Sequence, residues 1–141
     1  MAIIGGGYLR DVLNLTLKKE DKEEEERWEK KTEEEKESEK AKKYICNFLQ
    51  GAVYCWCKNR KDEWFSMRDL MGGDNFYWEE TPLMALFEKH KALGKDDESA
   101  MKEAGKESGW LLKHVIDKDK REFETKKEDL IRKYRWNGIG I

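Results

Sequence analysis

Residues 44–57 read YICNFLQGAVYCWC, and their phase decides how the rest of the chain is understood. Ile45, Phe48, Leu49, Ala52, Val53 and Trp56 recur at steps of three and four, which puts them on one face of an α-helix. This is the clearest core element of the chain. Gly51 lies inside it, at about 1 kcal/mol relative to Ala, and predicts a neighbouring helix crossing closely there.

The same phase sorts the cysteines. Cys55 and Cys57 stand about 200° apart around a helix, so they cannot chelate one ion together. A tetrahedral zinc site is usually announced by two short-spaced ligand pairs, and Cys46, His90 and His114 are scattered single residues. No metal and no cofactor is expected, and the thiols read as structural, with redox sensing beside Lys58 and Arg60 as the chemical alternative. Three cysteines, an odd number, with no export signal point to reduced thiols and a cytoplasmic location.

Outward from this helix the composition changes abruptly. Charged residues are 43% of the chain and hydrophobic ones 38%, but the charge concentrates in residues 18–43. That segment is almost wholly Glu and Lys, with Trp28 as its large apolar residue, and predicts a charged helical arm. Glu23–Arg27, Glu26–Lys30 and Glu39–Lys43 are acid-first i,i+4 pairs, each contributing roughly 0.3–0.5 kcal/mol. No heptad seam is present, which disfavours a coiled coil. Residues 1–17 combine an Ile3-Ile4 lead-in, three glycines and a short amphipathic stretch, and are read as packing on the bundle. They form neither a signal peptide nor a membrane span.

Beyond the core helix, Trp64, Met67 and Met71 predict a short helix stopped by Gly72-Gly73. Thr81-Pro82 opens the next, with Leu83, Leu86, Phe87 and His90 inward and Gly94 closing it. Asp96 or Asp97 caps a further helix whose inner face is Met101, Ala104, Ser108, Leu111, Leu112 and Val115. Its Gly105 and Gly109, four apart, predict a bend or the close approach of another backbone. A last helix is expected over residues 119–136, burying Phe123, Leu130, Ile131 and Tyr134. The expected fold is therefore all-α: a small single-domain bundle of about five helices over residues 44–136, preceded by the charged helix. The tail, residues 137–141, would either be disordered or form a minor β-ribbon with Ile3-Ile4.

No catalytic constellation emerges. His90 continues an apolar stripe, Gly5-Gly6-Gly7 lacks the phosphate-loop fingerprint, and Glu79-Glu80 are adjacent rather than opposed across a cleft. The expectation is a non-enzymatic intracellular protein-binding module, an adaptor, inhibitor or assembly factor, whose partner is another protein or a second copy of itself. Trp28, Phe76, Tyr77 and Trp78 are its candidate anchors, because partly exposed Trp and Tyr dominate protein interfaces. The alternative is a helical DNA-binding accessory protein. Residues 65–94 have a helix-turn-helix rhythm, and Lys58, Arg60, Lys126, Lys127, Arg132 and Lys133 supply phosphate-binding charge. A formal net charge of −2 provides no global attraction to nucleic acid or an anionic membrane, so such binding would be local.

Overall fold

The computed structural model describes residues 19–73 and 78–140, so the expected 1–17 segment with its Ile3-Ile4 pair, as well as Phe76 and Tyr77, lies outside the described residues. The chain divides into two compact units, Met1–Glu39 and Lys40–Ile141. Among the described residues no helix is long and apolar enough to cross a membrane.

The charged segment is helical but in two pieces. Helix α1 spans Lys19–Glu29, and α2 runs from Glu33 to Asn59. Thr32 makes the break: its hydroxyl accepts from the Glu35 amide at 3.2 Å, closing the first turn of α2 as an N-cap does. Within the first unit Trp28 is half-buried, with the Lys31 ammonium 5.7 Å from its ring centroid, and Lys31 pairs with Glu39.

The second unit is mostly helical with one small antiparallel sheet. Ile45, Leu49, Val53 and Cys57 form the buried line of α2. Gly51 lies on the exposed side, and a Cβ added there meets nothing within 4 Å. Among the described residues, the expected close helix crossing is thus not made at this glycine. A four-residue helix, α3 (Met67–Leu70), is set by a reciprocal capping box: Ser66 Oγ accepts from the Asp69 amide, and Asp69 Oδ2 accepts from the Ser66 amide. Helix α4 (Met84–Ala92) starts two residues after Pro82, and Thr81 does not cap it; the Thr81 hydroxyl donates to the Trp78 carbonyl at 2.7 Å. Helix α5 (Asp97–Lys118) is capped by Asp96, which accepts from the Ser99 amide at 2.7 Å, and it buries Ala100, Ala104, Ser108, Leu112, Val115 and Ile116.

The last expected helix is instead a β-hairpin, and this corrects the all-α class. Strands β1 (Phe123–Glu128) and β2 (Ile131–Trp136) pair antiparallel, Phe123 opposite Trp136 and Glu128 opposite Ile131. The two-residue turn is Asp129-Leu130, both at positive φ (52° and 66°), as in the turns whose twist matches a hairpin. Leu130, expected in the core, is 89% exposed. Phe65 adds a third rung: its amide donates to the Tyr134 carbonyl and the Tyr134 amide to the Phe65 carbonyl, both at 2.8 Å. Phe65 itself is fully buried and touches Trp56, Phe123 and Tyr134, with ring centroids 5.5, 6.2 and 5.9 Å away.

The tail, residues 137–140, lies along residues 120–122. The Glu122 amide donates to the Ile139 carbonyl (2.9 Å), as does the Trp136 indole (2.9 Å). Nearby, Asp119 and Arg121 form an ion pair at 3.2 Å, with side chains only 2% and 9% exposed. Gln50 donates to Asp119 at 2.7 Å, and the guanidinium lies 4.6 Å from the Tyr54 ring centroid and 5.4 Å from that of Trp136. Enclosure between two π-faces suits a planar cation taken out of water.

Because Gly51 is exposed, mid-helix and surrounded by open space, Gly51→Ala should raise the unfolding free energy by about 0.5–1 kcal/mol. Urea denaturation of the two proteins measures it.

Candidate functional site

Helix α5 turns two faces to the rest of the second unit. One buries Ala104, Leu112 and Val115. Along the neighbouring edge, Met101, Gly105, Gly109 and Leu112 follow helical spacing and floor a groove of about 610 Å³. Opposite stands the hairpin tip, Leu130, Ile131 and Arg132, with Met67 and Arg68 of α3 at one end and Tyr134 beneath. The two glycines keep the floor low: an added Cβ on either meets nothing within 4 Å. The close backbone approach expected at Gly105 and Gly109 is therefore not made by any described residue of this chain. Apolar side chains line the floor and walls, and Arg68, Lys102, Lys106 and Arg132 stand around the rim against one acid, Glu98. Burial pushes the Tyr134 phenol up from its ordinary value, with nearby Arg132 opposing and Asp117 assisting, so at neutral pH it stays protonated.

The candidate partner anchors fare differently. Trp28 is half-buried within the first unit. Trp78 is 2% exposed and belongs to the core with Leu83 and Leu86, which corrects its expected place on a binding surface.

The hairpin divides the nucleic-acid candidates between its two faces. Lys126 and Lys133 are register partners and both reach Glu128, at 3.2 and 3.8 Å. On the same face Lys126 and Arg135 lie 4.3 and 4.7 Å from the Trp64 ring centroid, while Arg135 also pairs with Glu124. Lys127 and Arg132 form the next register pair, whose side chains belong to the opposite face. Lys58 and Arg60 are exposed at the end of α2, and Arg60 pairs with Glu63 at 3.3 Å while lying 5.3 Å from the Trp56 ring centroid. In the segment with helix-turn-helix rhythm, the first helix is only four residues long. The cations of α4 are already engaged, Lys89 with Glu107 (2.6 Å) and Lys91 with Asp97 (2.7 Å).

Titratable groups converge at one further place. His90, buried on α4, meets Glu107 of α5 through Nε2, and Lys95 lies 2.7 Å from its Nδ1. A lysine ammonium only donates, so Nδ1 accepts and Nε2 carries the proton toward Glu107. Burial alone would push the Glu107 carboxyl up; hydrogen bonds from Lys89 and His90, with the charge of Lys89, override it and hold the carboxyl below the usual range. These four groups satisfy one another, and their role is to fasten α4 to α5. Cys57 is buried and Cys55 exposed, as their helical phase requires. Burial pushes the Cys57 thiol up, against the pull of Arg121, and likewise that of Cys46 against Lys118, so neither is primed as a thiolate. Among the described residues no group of three or more His, Cys, Asp or Glu side chains gathers to hold a metal ion.

No protein-family model matches this chain, and no curated protein and no solved structure matches it either.

The Glu107 fastening has a pH signature. A carboxyl whose folded pKa is depressed contributes stability that is fully present above its unfolded value, about 4.3, and is lost as pH falls through the lower folded value. Between neutral pH and about pH 3, wild-type protein should therefore lose more stability than Glu107→Gln. Urea midpoints of both proteins across that range measure the difference.

Proposed function

We propose that this chain is a non-enzymatic protein-binding module that takes a segment of a partner into the groove between α5 and the hairpin tip. One observation carries it. Leu130 sits at φ 66° with 89% of its surface exposed, at a turn position where Gly or Asn would relieve the backbone. A left-handed conformation disfavours a bulky residue by roughly 1–2 kcal/mol, and an exposed leucine recovers none of that within the folded chain. Strain of this kind collects where a side chain is held out for use, and Leu130 is held out on the wall of a groove floored by bare glycines. The three free cysteines fit a reducing, cytoplasmic setting for such a module.

The second reading, nucleic-acid binding, draws on Trp64 with Lys126 and Arg135 beside its ring, an arrangement able to stack a base. Glu124 and Glu128 on the same face reduce its pull on phosphate, which ranks it second.

The test is Leu130→Gly. It should stabilise the protein by about 1 kcal/mol in urea, and it should weaken binding of helical peptides selected from a display library against the wild-type chain. Selected peptides indifferent to both Leu130→Gly and the groove-filling Gly109→Trp would refute a role for the groove.

A further inference from the structure

The chemistry of the groove specifies its occupant. Resting on the protein-binding reading above, we propose that it receives an amphipathic α-helix of about three turns whose apolar stripe is flanked by Asp and Glu. Three features fix this choice. The floor from Met101 to Leu112 is itself helical and rises about 16 Å, the length of three helical turns. Gly105 and Gly109 lie one turn apart, and a Cβ added at either meets no described residue within 4 Å, which leaves room for a second helix backbone to come close. Apolar residues at i, i+3, i+4 and i+7 of the incoming helix would meet Met101, Leu130 and Ile131, which are at least partly exposed.

The rim sets the sign of the flanks. Lys102, Lys106 and Arg132 line it as exposed cations against Glu98. Lys106 shares its charge with Glu103 at 3.5 Å, and Arg132 donates to the uncharged Thr125 hydroxyl, so the rim remains basic on balance. Basic flanks on the occupant would meet like charge and be rejected, which makes the rim a filter on partner choice as well as a source of attraction. Lys102 and Lys106 stand one turn apart on α5, a spacing that matches carboxylates one turn apart on a facing helix.

The experiment uses the full chain and two fluorescent helical peptides of about 14 residues, identical in their Leu stripe, one with Glu and one with Lys at the remaining positions. In fluorescence anisotropy the Glu peptide should bind at least about tenfold tighter than the Lys peptide and weaken severalfold between about 50 and 500 mM salt. Double charge reversal, Lys102→Glu with Lys106→Glu, should invert that preference; both positions are exposed, so the fold is not at stake. Gly109→Leu, which fills open space on a helix, should remove binding of both peptides. Equal binding of the two peptides, or a preference for Lys, overturns the acidic occupant while leaving the groove as a protein-binding site. Binding unaffected by Gly109→Leu overturns the groove itself. A concentration-dependent dimer that Gly109→Leu dissociates, seen by analytical ultracentrifugation, makes a second copy of the chain the occupant and likewise overturns the proposal.

Discussion

Two hydrogen bonds between Phe65 and Tyr134 tie the hairpin to the helical part of the second unit. A lone two-stranded hairpin is marginal in water, and this one has only six residues per strand. By presenting Phe65 as a third rung, the segment before α3 protects one edge of β2 and sets an aromatic ring at the junction of α2, the hairpin and the core. Everything that positions the groove follows. The tip stands beside α5 because the root of the hairpin is fixed, and the root is fixed because Phe65 cannot leave the Trp56–Phe123–Tyr134 cluster without exposing a large apolar ring. The capping box immediately after Phe65 locks the same segment from its other side.

How much of this was legible in the sequence depends on the kind of signal each element carries. Ile45, Leu49 and Val53 of α2 and the stripe Ala104, Ser108, Leu112, Val115 of α5 were readable because a long helix repeats its burial pattern several times, although the α2 line ends on Cys57 rather than the expected Trp56. Asp96 and Gly94 were readable because caps have residue preferences. The hairpin was not. Its inward positions include Thr125 and its outward ones Ile131, so alternation is blurred. Phe123, Leu130, Ile131 and Tyr134 also fit a helical stripe by chance. A glycine after Asp129 would have announced the turn; leucine conceals it. Thr32, followed three residues later by Glu35, was a visible helix start inside the charged segment, masked by the uniformity of the charge around it.

The candidate site was half legible for the same reason. Gly105 and Gly109 drew notice in the sequence as a bend or a close backbone approach, yet no described residue approaches them, and no reading that made residues 119–136 a helix could place the hairpin beside them. Trp78 illustrates the reverse case. Consecutive aromatics cannot all point one way, and at this position tertiary packing drew the ring inward beside Leu83. The basic residues of the C-terminal segment, which on a helix would have formed a patch, are parted by strand geometry onto opposite faces and are largely met by glutamates.

The Asp129-Leu130 turn also bears on the order in which the molecule forms. Hairpins are commonly started by their turns, within microseconds, when the turn residues favour the required conformation. Here the turn opposes it, so the strands gain little by meeting on their own. They are held instead by Phe65, nearly 70 residues away along the chain. The wall of the groove thus depends on that distant contact more than on its own turn.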